Sequence, residues 1–219
     1  MMNKSSIPIV AKLTLMLGLL IFFYPGDIKP AQVVGSNYNL IQLEAITLLG
    51  DDARVLPEFQ LIDHNKQIFG RDRLRGKWSL MLFGYTSCPD ICPTTLNTIN
   101  HTVNAIDDPD VREAVRVYFV SVDPQRDKPD LLATYMNYFN PDFTGATADI
   151  DELKILTSSL GVSHKIKKKE NDSTYAVSHS GFVVLIDPDV QFTGLFFSTP
   201  DNVQTVARDL ARFFKHTNN

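Results

Sequence analysis

The chain contains 219 residues, of which 44% are hydrophobic and 21% charged, and its formal net charge is −4. A chain of this length and composition can form one globular domain with a hydrophobic core and a terminal extension. The weak negative charge argues against nucleic acid as a partner, and two cysteines are too few for a disulfide-stabilised scaffold.

The first 30 residues differ from the rest of the chain and are typical of an export signal. Lys4 and Lys12 come before an almost entirely apolar run at residues 13–24, and Pro25 follows that run. We predict that residues 1–30 form an uncleaved signal anchor, because no small-residue cleavage site follows the run. The alternative is a cleaved signal that leaves a secreted domain. Lysines before an apolar span place the N-terminus in the cytoplasm, so we expect the domain on the exported side.

Residues 31–51 are predicted to be a linker, and residues 52–219 are predicted to form the folded domain. Within that domain, segments with strand periodicity alternate with segments in which apolar residues recur every three or four positions, as on one face of a helix. The predicted strands cover residues 59–62, 67–69, 78–83, 115–121, 181–186 and 190–197. The predicted helices are one beginning at Pro93, two at residues 127–139 and 150–160, and a last one capped by Thr199 and started by Pro200.

This order of strands and helices is typical of a thioredoxin-like α/β fold, in which helices flank a central mixed sheet. The helix at residues 150–160, which Gly161 ends, and the lysine-rich loop after it are predicted to be insertions into that fold. In the helix at residues 127–139, the side chains expected to face the core are Leu131, Leu132, Tyr135, Met136 and Phe139.

Cys88 and Cys92 are the only cysteines in the chain, and three residues separate them between a predicted central strand and a predicted helix. Each precedes a proline, and a residue before proline avoids the α-helical region, so Cys92 is expected at the helix cap. The positive end of the helix dipole favours thiolate, which is the form of cysteine that binds metals and attacks disulfides. The pair therefore predicts either a metal site or a redox-active dithiol.

A histidine is the expected third ligand beside two thiolates. His179 differs from the other histidines because it comes just before a predicted core strand, on the loop that faces the N-terminus of the cysteine-bearing helix in a thioredoxin-like sheet. It is interpreted either as a metal ligand or as a loop histidine with a structural hydrogen bond. The histidines expected to face solvent are His64, His101, His164 and His216.

Several motifs of the chain resemble those of the Sco/SenC proteins. They include FGYTSCPDICP at residues 83–93, SVDPQRD at residues 121–127, the pair His179 and Ser180, and LIDP at residues 185–188. The motifs occur in family order, and the first two together are highly specific. The resemblance covers nearly the whole chain after the predicted linker.

The resemblance implies a thioredoxin-like fold that binds a copper ion through Cys88, Cys92 and His179. It also implies a function in the assembly of cytochrome c oxidase, in which family members supply copper or reducing equivalents to the binuclear copper centre. The expected partners are the copper-bearing subunit of the oxidase and other copper chaperones or thiol reductants. The family's N-terminal anchor agrees with an inner-membrane protein whose soluble domain faces the bacterial periplasm.

Three residues depart from the family pattern without removing a ligand. Gln125 stands where glutamate is common, Ser178 where aspartate often precedes the histidine, and Ser87 where histidine or another residue occurs. Asp123, at the end of a predicted strand, and Asp90, between the cysteines, are each interpreted in two ways. Asp123 either affects the metal site electrostatically or is an ordinary turn aspartate. Asp90 either tunes the thiolates or simply faces solvent.

Two functions are compatible with these features. The first is a copper metallochaperone, and the second is a thiol–disulfide oxidoreductase that keeps the cysteines of the target copper site reduced. A peroxiredoxin-like peroxidase is disfavoured because the spacing around Thr86 does not match that chemistry. A purely structural disulfide is disfavoured because so small a loop removes little chain entropy.

Overall fold

A mixed β-sheet with flanking helices makes up the part of the chain that the structure describes. The computed structural model describes residues 41–168 and 175–217, with the backbone alone for residues 164–168 and 175–179. The strands are β1 (Thr47–Leu48), β2 (Arg54–Val55), β3 (Leu61–Asp63), β4 (Ile68–Phe69), β5 (Trp78–Gly84), β6 (Val115–Ser121), β7 (Thr144–Thr147), β8 (His164–Lys168), β9 (Tyr175–His179), β10 (Val183–Ile186) and β11 (Gln191–Phe196). The α-helices are α1 (Ile91–Asn104), α2 (Pro109–Ala114), α3 (Pro129–Phe139), α4 (Ile150–Ser159) and α5 (Val203–Thr217), and 3₁₀ turns cover Gly50–Asp52, Arg71–Arg73 and Pro200–Asn202.

The main sheet has the strand order β1-β11-β10-β5-β6-β7-β3-β4, and β2 also pairs with β11. β5, β6 and β7 run parallel, whereas β10 runs antiparallel to β5. Every residue of β5 is buried, which confirms the predicted central strand. Because β5 and β6 pair in parallel with Gly84 opposite Ser121, the segments that follow these two strands leave the sheet at the same edge.

Helix α5 packs its apolar face on the sheet. Its buried side chains are Val206, Ala207, Asp209, Leu210, Phe213 and Phe214. The rings of Trp78, at the start of β5, and Phe214 stack with their centroids 4.1 Å apart. Thr199 forms a reciprocal capping box with Asn202, as expected of a cap, but it caps the 3₁₀ turn Pro200–Asn202, and α5 begins at Val203 instead of at the predicted Pro200.

The prediction is wrong for one of the residues of α3 expected to face the core. Leu131 is 44% exposed, whereas its neighbour Leu132 is fully buried together with Met136. Successive helix residues point about 100° apart, so only one of two adjacent leucines can face the sheet. Tyr135 and Phe139 are half-buried and pack against the core, as predicted.

The segment just before residue 52 belongs to the folded domain and is not a linker. β1 pairs with β11, and Ile46 is only 5% exposed. The buried carboxylate of Asp209 accepts hydrogen bonds from the backbone N–H groups of Glu44 at 2.8 Å and Ala45 at 2.7 Å. Strands as short as β1 and β2 contain too few residues to produce a recognisable hydrophobic alternation, which is why the predicted boundary lies too late in the chain.

The predicted signal anchor at residues 1–30 lies outside the described residues, as does the predicted linker up to residue 40. Of the helices in the described part, none is both long and apolar enough to cross a membrane. The anchor therefore stays a prediction from the sequence.

The lysine-rich segment after α4 forms strands where the sequence predicts a loop. Helix α4 ends as predicted, with Gly161 at a φ of 67°, a left-handed conformation that favours glycine. β8 and β9 then form a separate two-stranded antiparallel sheet in which His164 lies opposite His179. Ile166 is the one apolar residue among the lysines of β8, so the strand has the composition of a solvated loop.

Candidate metal centre

The cysteine loop, residues 85–92, comprises the connection after β5 and the first two residues of α1. The helix begins at Ile91 with Asp90 as its N-cap, so Cys92 lies in the first helical turn. The prediction that Cys92 occupies the cap is therefore wrong. The following Pro93 is tolerated because the N–H groups of a first turn have no acceptor within the helix.

Cys88 and Cys92 are both buried thiols, with 8% and 1% of their surface exposed. The backbone N–H of Cys88 donates to the carbonyl oxygen of Tyr85 at 3.1 Å, which closes a turn. A Cβ atom at Gly84 would lie 2.6 Å from the sulfur of Cys92 and 2.8 Å from the ring of Phe119. Only glycine leaves this space to the sulfur, so the end of the central strand is shaped to hold the thiol.

Burial raises the pKa of the Cys92 thiol, and this effect outweighs a backbone hydrogen bond with Tyr85 that lowers the pKa. The neighbouring Cys88 thiol and the Asp127 carboxylate raise the pKa further. The helix dipole predicts the opposite direction, but the loss of water around a thiolate is the larger effect here. Cys92 therefore keeps its proton in the metal-free protein, and metal binding at this pair would release it.

Asp127 fixes the start of the cysteine loop, although it is not among the site residues predicted from the sequence. Its fully buried carboxylate accepts hydrogen bonds from the N–H of Thr86 at 2.8 Å and from the Thr86 hydroxyl at 2.6 Å. It accepts a third from the hydroxyl of Ser121 at 2.5 Å. These bonds join the loop after β5 to the segment after β6. The signal in the sequence is the position of Asp127 in the same motif as Asp123.

The two carboxylates singled out from the sequence have different surroundings. Asp123 is fully buried and forms an ion pair with Arg126, whose guanidinium carbon lies 5.4 Å from the centroid of the Tyr85 ring. Asp90 is exposed at the N-cap of α1, with its Oδ1 accepting a hydrogen bond from the Thr94 hydroxyl at 3.4 Å. A negative charge is favoured at this end of a helix. Any effect of either carboxylate on a bound metal stays a prediction.

His179 ends β9, and its backbone lies opposite His164. Two residues later the chain approaches the start of α1, because a Cβ atom at Gly181 would lie 3.9 Å from Cγ1 of Ile91. The side chain of His179 lies outside the described part of the structure, so its role as a ligand stays a prediction. Among the side chains that the structure describes, no three of the types His, Cys, Asp and Glu are grouped so as to hold a metal.

The other histidines differ in their surroundings. His101 and His216 are exposed, as predicted, and the side chain of His164 lies outside the description. His64 is half-buried, and its Nδ1 accepts a hydrogen bond from the backbone N–H of Gly145 at 3.2 Å. This histidine therefore has a structural partner and does not simply face solvent.

The fold and the cysteine loop have counterparts among known proteins. The SCO1/SenC family model matches residues 49–215. The chain belongs to this family. It is 32% identical to the SCO2-like protein RC0895 of Rickettsia conorii over 187 residues, which cover 80% of this chain and 90% of that protein. The predicted family is therefore confirmed.

Solved structures of Sco proteins share the fold. ScoI of Bradyrhizobium japonicum, solved with copper bound, is 33% identical with a TM-score of 0.65, over 73% of this chain and 99% of that one. BsSco, described with a disulfide switch and as a member of the Sco family of cytochrome c oxidase assembly proteins, is 18% identical with a TM-score of 0.53, over 77% and 98% of the two chains. At that identity the likeness concerns the fold alone. The predicted thioredoxin-like α/β fold is confirmed.

Proposed function

We propose that this Sco protein is a copper metallochaperone that carries one copper ion on the sulfurs of Cys88 and Cys92 and the imidazole of His179. The observation that carries the proposal is the pair of buried thiols, held together at the end of the central strand. Thiolate sulfur is a soft ligand that suits Cu⁺, and an imidazole nitrogen completes a three-coordinate set.

The surroundings of the thiols suit a cargo that is bound and then released. Burial of both sulfurs limits contact with water, and the raised pKa of Cys92 means that the thiol regains its proton when copper leaves. Proton uptake therefore accompanies transfer of the ion to a partner. A partner site with more sulfur or nitrogen ligands would draw the ion away.

The proposed recipient is the copper-bearing subunit of cytochrome c oxidase. Membership of the Sco family supports this assignment, because the resemblance to that family implies a function in oxidase assembly. Other copper chaperones are proposed as donors of the ion. The sequence of residues 1–30 further supports a protein anchored in the inner membrane with its domain in the periplasm.

Anaerobic titration of the reduced full-length protein in detergent with Cu⁺ tests the copper proposal. We expect about one equivalent to bind, with binding abolished by C88S or C92S. His179→Ala should weaken binding by more than the roughly 10–100-fold that loss of an outer hydrogen bond causes. His101→Ala, which changes an exposed histidine of α1, is the matched control. Absence of binding near one equivalent rejects the carrier function, and an unchanged affinity in H179A rejects the proposed ligand set.

A second function is supported by the same pair of thiols. The Cys88 and Cys92 side chains are close enough to share a hydrogen bond, at the N-terminal turn of a helix in a thioredoxin-like fold. As an oxidoreductase, the pair would form its own disulfide while two electrons and two protons pass to a disulfide of the target. Reduction of an oxidised target peptide by H179A at the wild-type rate would favour this function over copper transfer.

A further inference from the structure

Tyr135 of α3 shares an aromatic neighbour, Phe119, with the thiol of Cys92, and the function proposed above gives it no role. Its ring packs against Phe119 with centroids 5.5 Å apart and against Phe139 in an edge-to-face contact at 5.0 Å. The ring of Phe119 and the sulfur of Cys92 are neighbours at the end of β5, because both would contact a Cβ atom at Gly84. Tyr135 therefore packs on the back of the ring that contacts the thiol site.

The hydroxyl of Tyr135 is buried and has no hydrogen-bond partner among the described residues. A buried donor without a partner is costly, and such groups are rare in native proteins. Burial raises the pKa of this phenol, and negative charge on Cys92, Cys88 and Asp127 raises it further. The hydroxyl thus keeps its proton and lies within electrostatic range of both sulfurs.

We propose that the hydroxyl of Tyr135 donates a hydrogen bond to a sulfur of the Cys88–Cys92 pair when the pair holds a metal ion as thiolates. This inference rests on the proposed metal-carrying function. A protonated thiol is a weak acceptor, whereas a thiolate carries the charge that makes a hydrogen bond short and strong. The Tyr135 hydroxyl, which has no acceptor when the cysteines are protonated thiols, gains an acceptor when a metal ion takes the place of their protons. Tyr135 is thus a positioning residue that acts on the metal through its sulfur ligand.

The proposal predicts two effects of Tyr135→Phe that a purely structural hydroxyl would not produce together. In the metal-free protein the substitution removes a buried group without a partner, so the free energy of unfolding should stay the same or rise. In the metal-loaded protein it removes a charge-assisted hydrogen bond, so metal affinity should fall by about tenfold. The sulfur-to-metal charge-transfer band should also move to longer wavelength, because the thiolate loses a stabilising donor.

The matched control is Tyr138→Phe on the same helix, since Tyr138 is 84% exposed. The reduced full-length protein and both variants would be titrated anaerobically with Cu⁺ and with Cd²⁺ in competition with a chelator. Cd²⁺ serves as a second probe that also binds thiolates. Urea unfolding of the metal-free proteins would be measured in parallel.

The inference is supported if Y135F loses metal affinity and shifts the band, its free energy of unfolding stays the same or rises, and Y138F behaves as the wild type. It is overturned if Y135F matches Y138F in metal affinity, or if Y135F destabilises the metal-free protein, which would give the hydroxyl a structural partner. If the wild type binds Cd²⁺ but not Cu⁺, the copper function fails and the Cd²⁺ comparison decides on Tyr135. If neither ion binds, both proposals fail.

Discussion

Asp127 accepts two hydrogen bonds from Thr86, one from its backbone N–H at 2.8 Å and one from its hydroxyl at 2.6 Å. Thr86 lies two residues before Cys88, and Asp127 lies in the segment that follows β6. The carboxylate therefore sets where the cysteine loop leaves the sheet. It thus links the two most distinctive motifs of the chain, FGYTSCPDICP and SVDPQRD, by direct hydrogen bonds.

Asp127→Asn should lower the free energy of unfolding by about 2 kcal/mol. An amide offers one acceptor oxygen to three donors and turns its own NH₂ group toward them, so at least one buried group loses its partner. Urea denaturation of the metal-free protein measures the change. Asp130→Asn, at an exposed carboxylate near the start of α3, is the control and should have no measurable effect. Equal effects of the two substitutions would show that the buried hydrogen bonds contribute little.

Gly84→Ala should disturb the thiol site directly. The added methyl group would lie 2.6 Å from the sulfur of Cys92 and 2.8 Å from the ring of Phe119, so both must move. We expect a loss of about 1–3 kcal/mol of stability, typical of an overpacked core, and a weaker affinity for Cu⁺. Both quantities can be measured on the reduced protein. Gly181→Ala is the matched control, because its methyl group would make an ordinary contact at 3.9 Å with Ile91. If Gly84→Ala changed stability and Cu⁺ affinity no more than Gly181→Ala does, the close packing of the Cys92 sulfur against Gly84 would be contradicted.

The sequence predicts the parts of the site that depend on residue type and local order. Cys88 and Cys92 stand out because they are the only thiols, and the strand and helix around them have clear hydrophobic periodicity. Asp127 is missed because its partners, Thr86 and Ser121, become neighbours only when β5 and β6 pair in parallel. Contacts of this kind depend on topology and leave no local pattern.

The direction of the Cys92 pKa is missed for a related reason. The helix N-terminus can be recognised from the sequence and predicts a lowered pKa. The opposing burial comes from the packing of the sulfur against Gly84 and Phe119, which are distant from each other in the chain. The burial of Ile46 could not be predicted either, because it depends on the pairing of β1 with β11, which are distant in the chain.

Asp209→Ala should release the segment that precedes β1. The carboxylate of Asp209 holds the backbone N–H groups of Glu44 and Ala45, and alanine would leave both donors without an acceptor. We expect a loss of about 1–3 kcal/mol of stability and faster cleavage within residues 41–51 during limited proteolysis. Mass spectrometry of the first fragments would locate the cut. Arg208→Ala breaks only an exposed ion pair with Glu44 and should leave the cleavage rate unchanged. Wild-type resistance in the Asp209 variant would mean that the pairing of β1 with β11 alone holds this segment.

Asp108 and Lys215 should make stability depend on pH in a defined window. The hydrogen bond from Lys215, at 2.7 Å, lowers the pKa of Asp108, and the backbone N–H of Val111 lowers it further. The same contact raises the pKa of Lys215. The stability that comes from the lowered pKa of Asp108 is therefore present above the pKa of the unfolded state, about 4. It is lost as the pH falls through the pKa of the folded state. The stability that comes from the raised pKa of Lys215 is present below the pKa of the unfolded state, about 10.4. It is lost as the pH rises through the pKa of the folded state.

A double-mutant cycle with Asp108→Asn and Lys215→Gln measures this pair without the capping contribution, because asparagine still accepts the hydrogen bonds that cap α2. We expect a stabilising coupling between the two side chains at pH 7, measured as non-additive shifts in Tm. The coupling should shrink at high ionic strength, since Lys215 is exposed and Asp108 is partly exposed to solvent. It should disappear at a pH well below 4, where Asp108 is neutral. A coupling of the same size at pH 7 and in strong acid would mean that the two side chains interact by packing and not by charge.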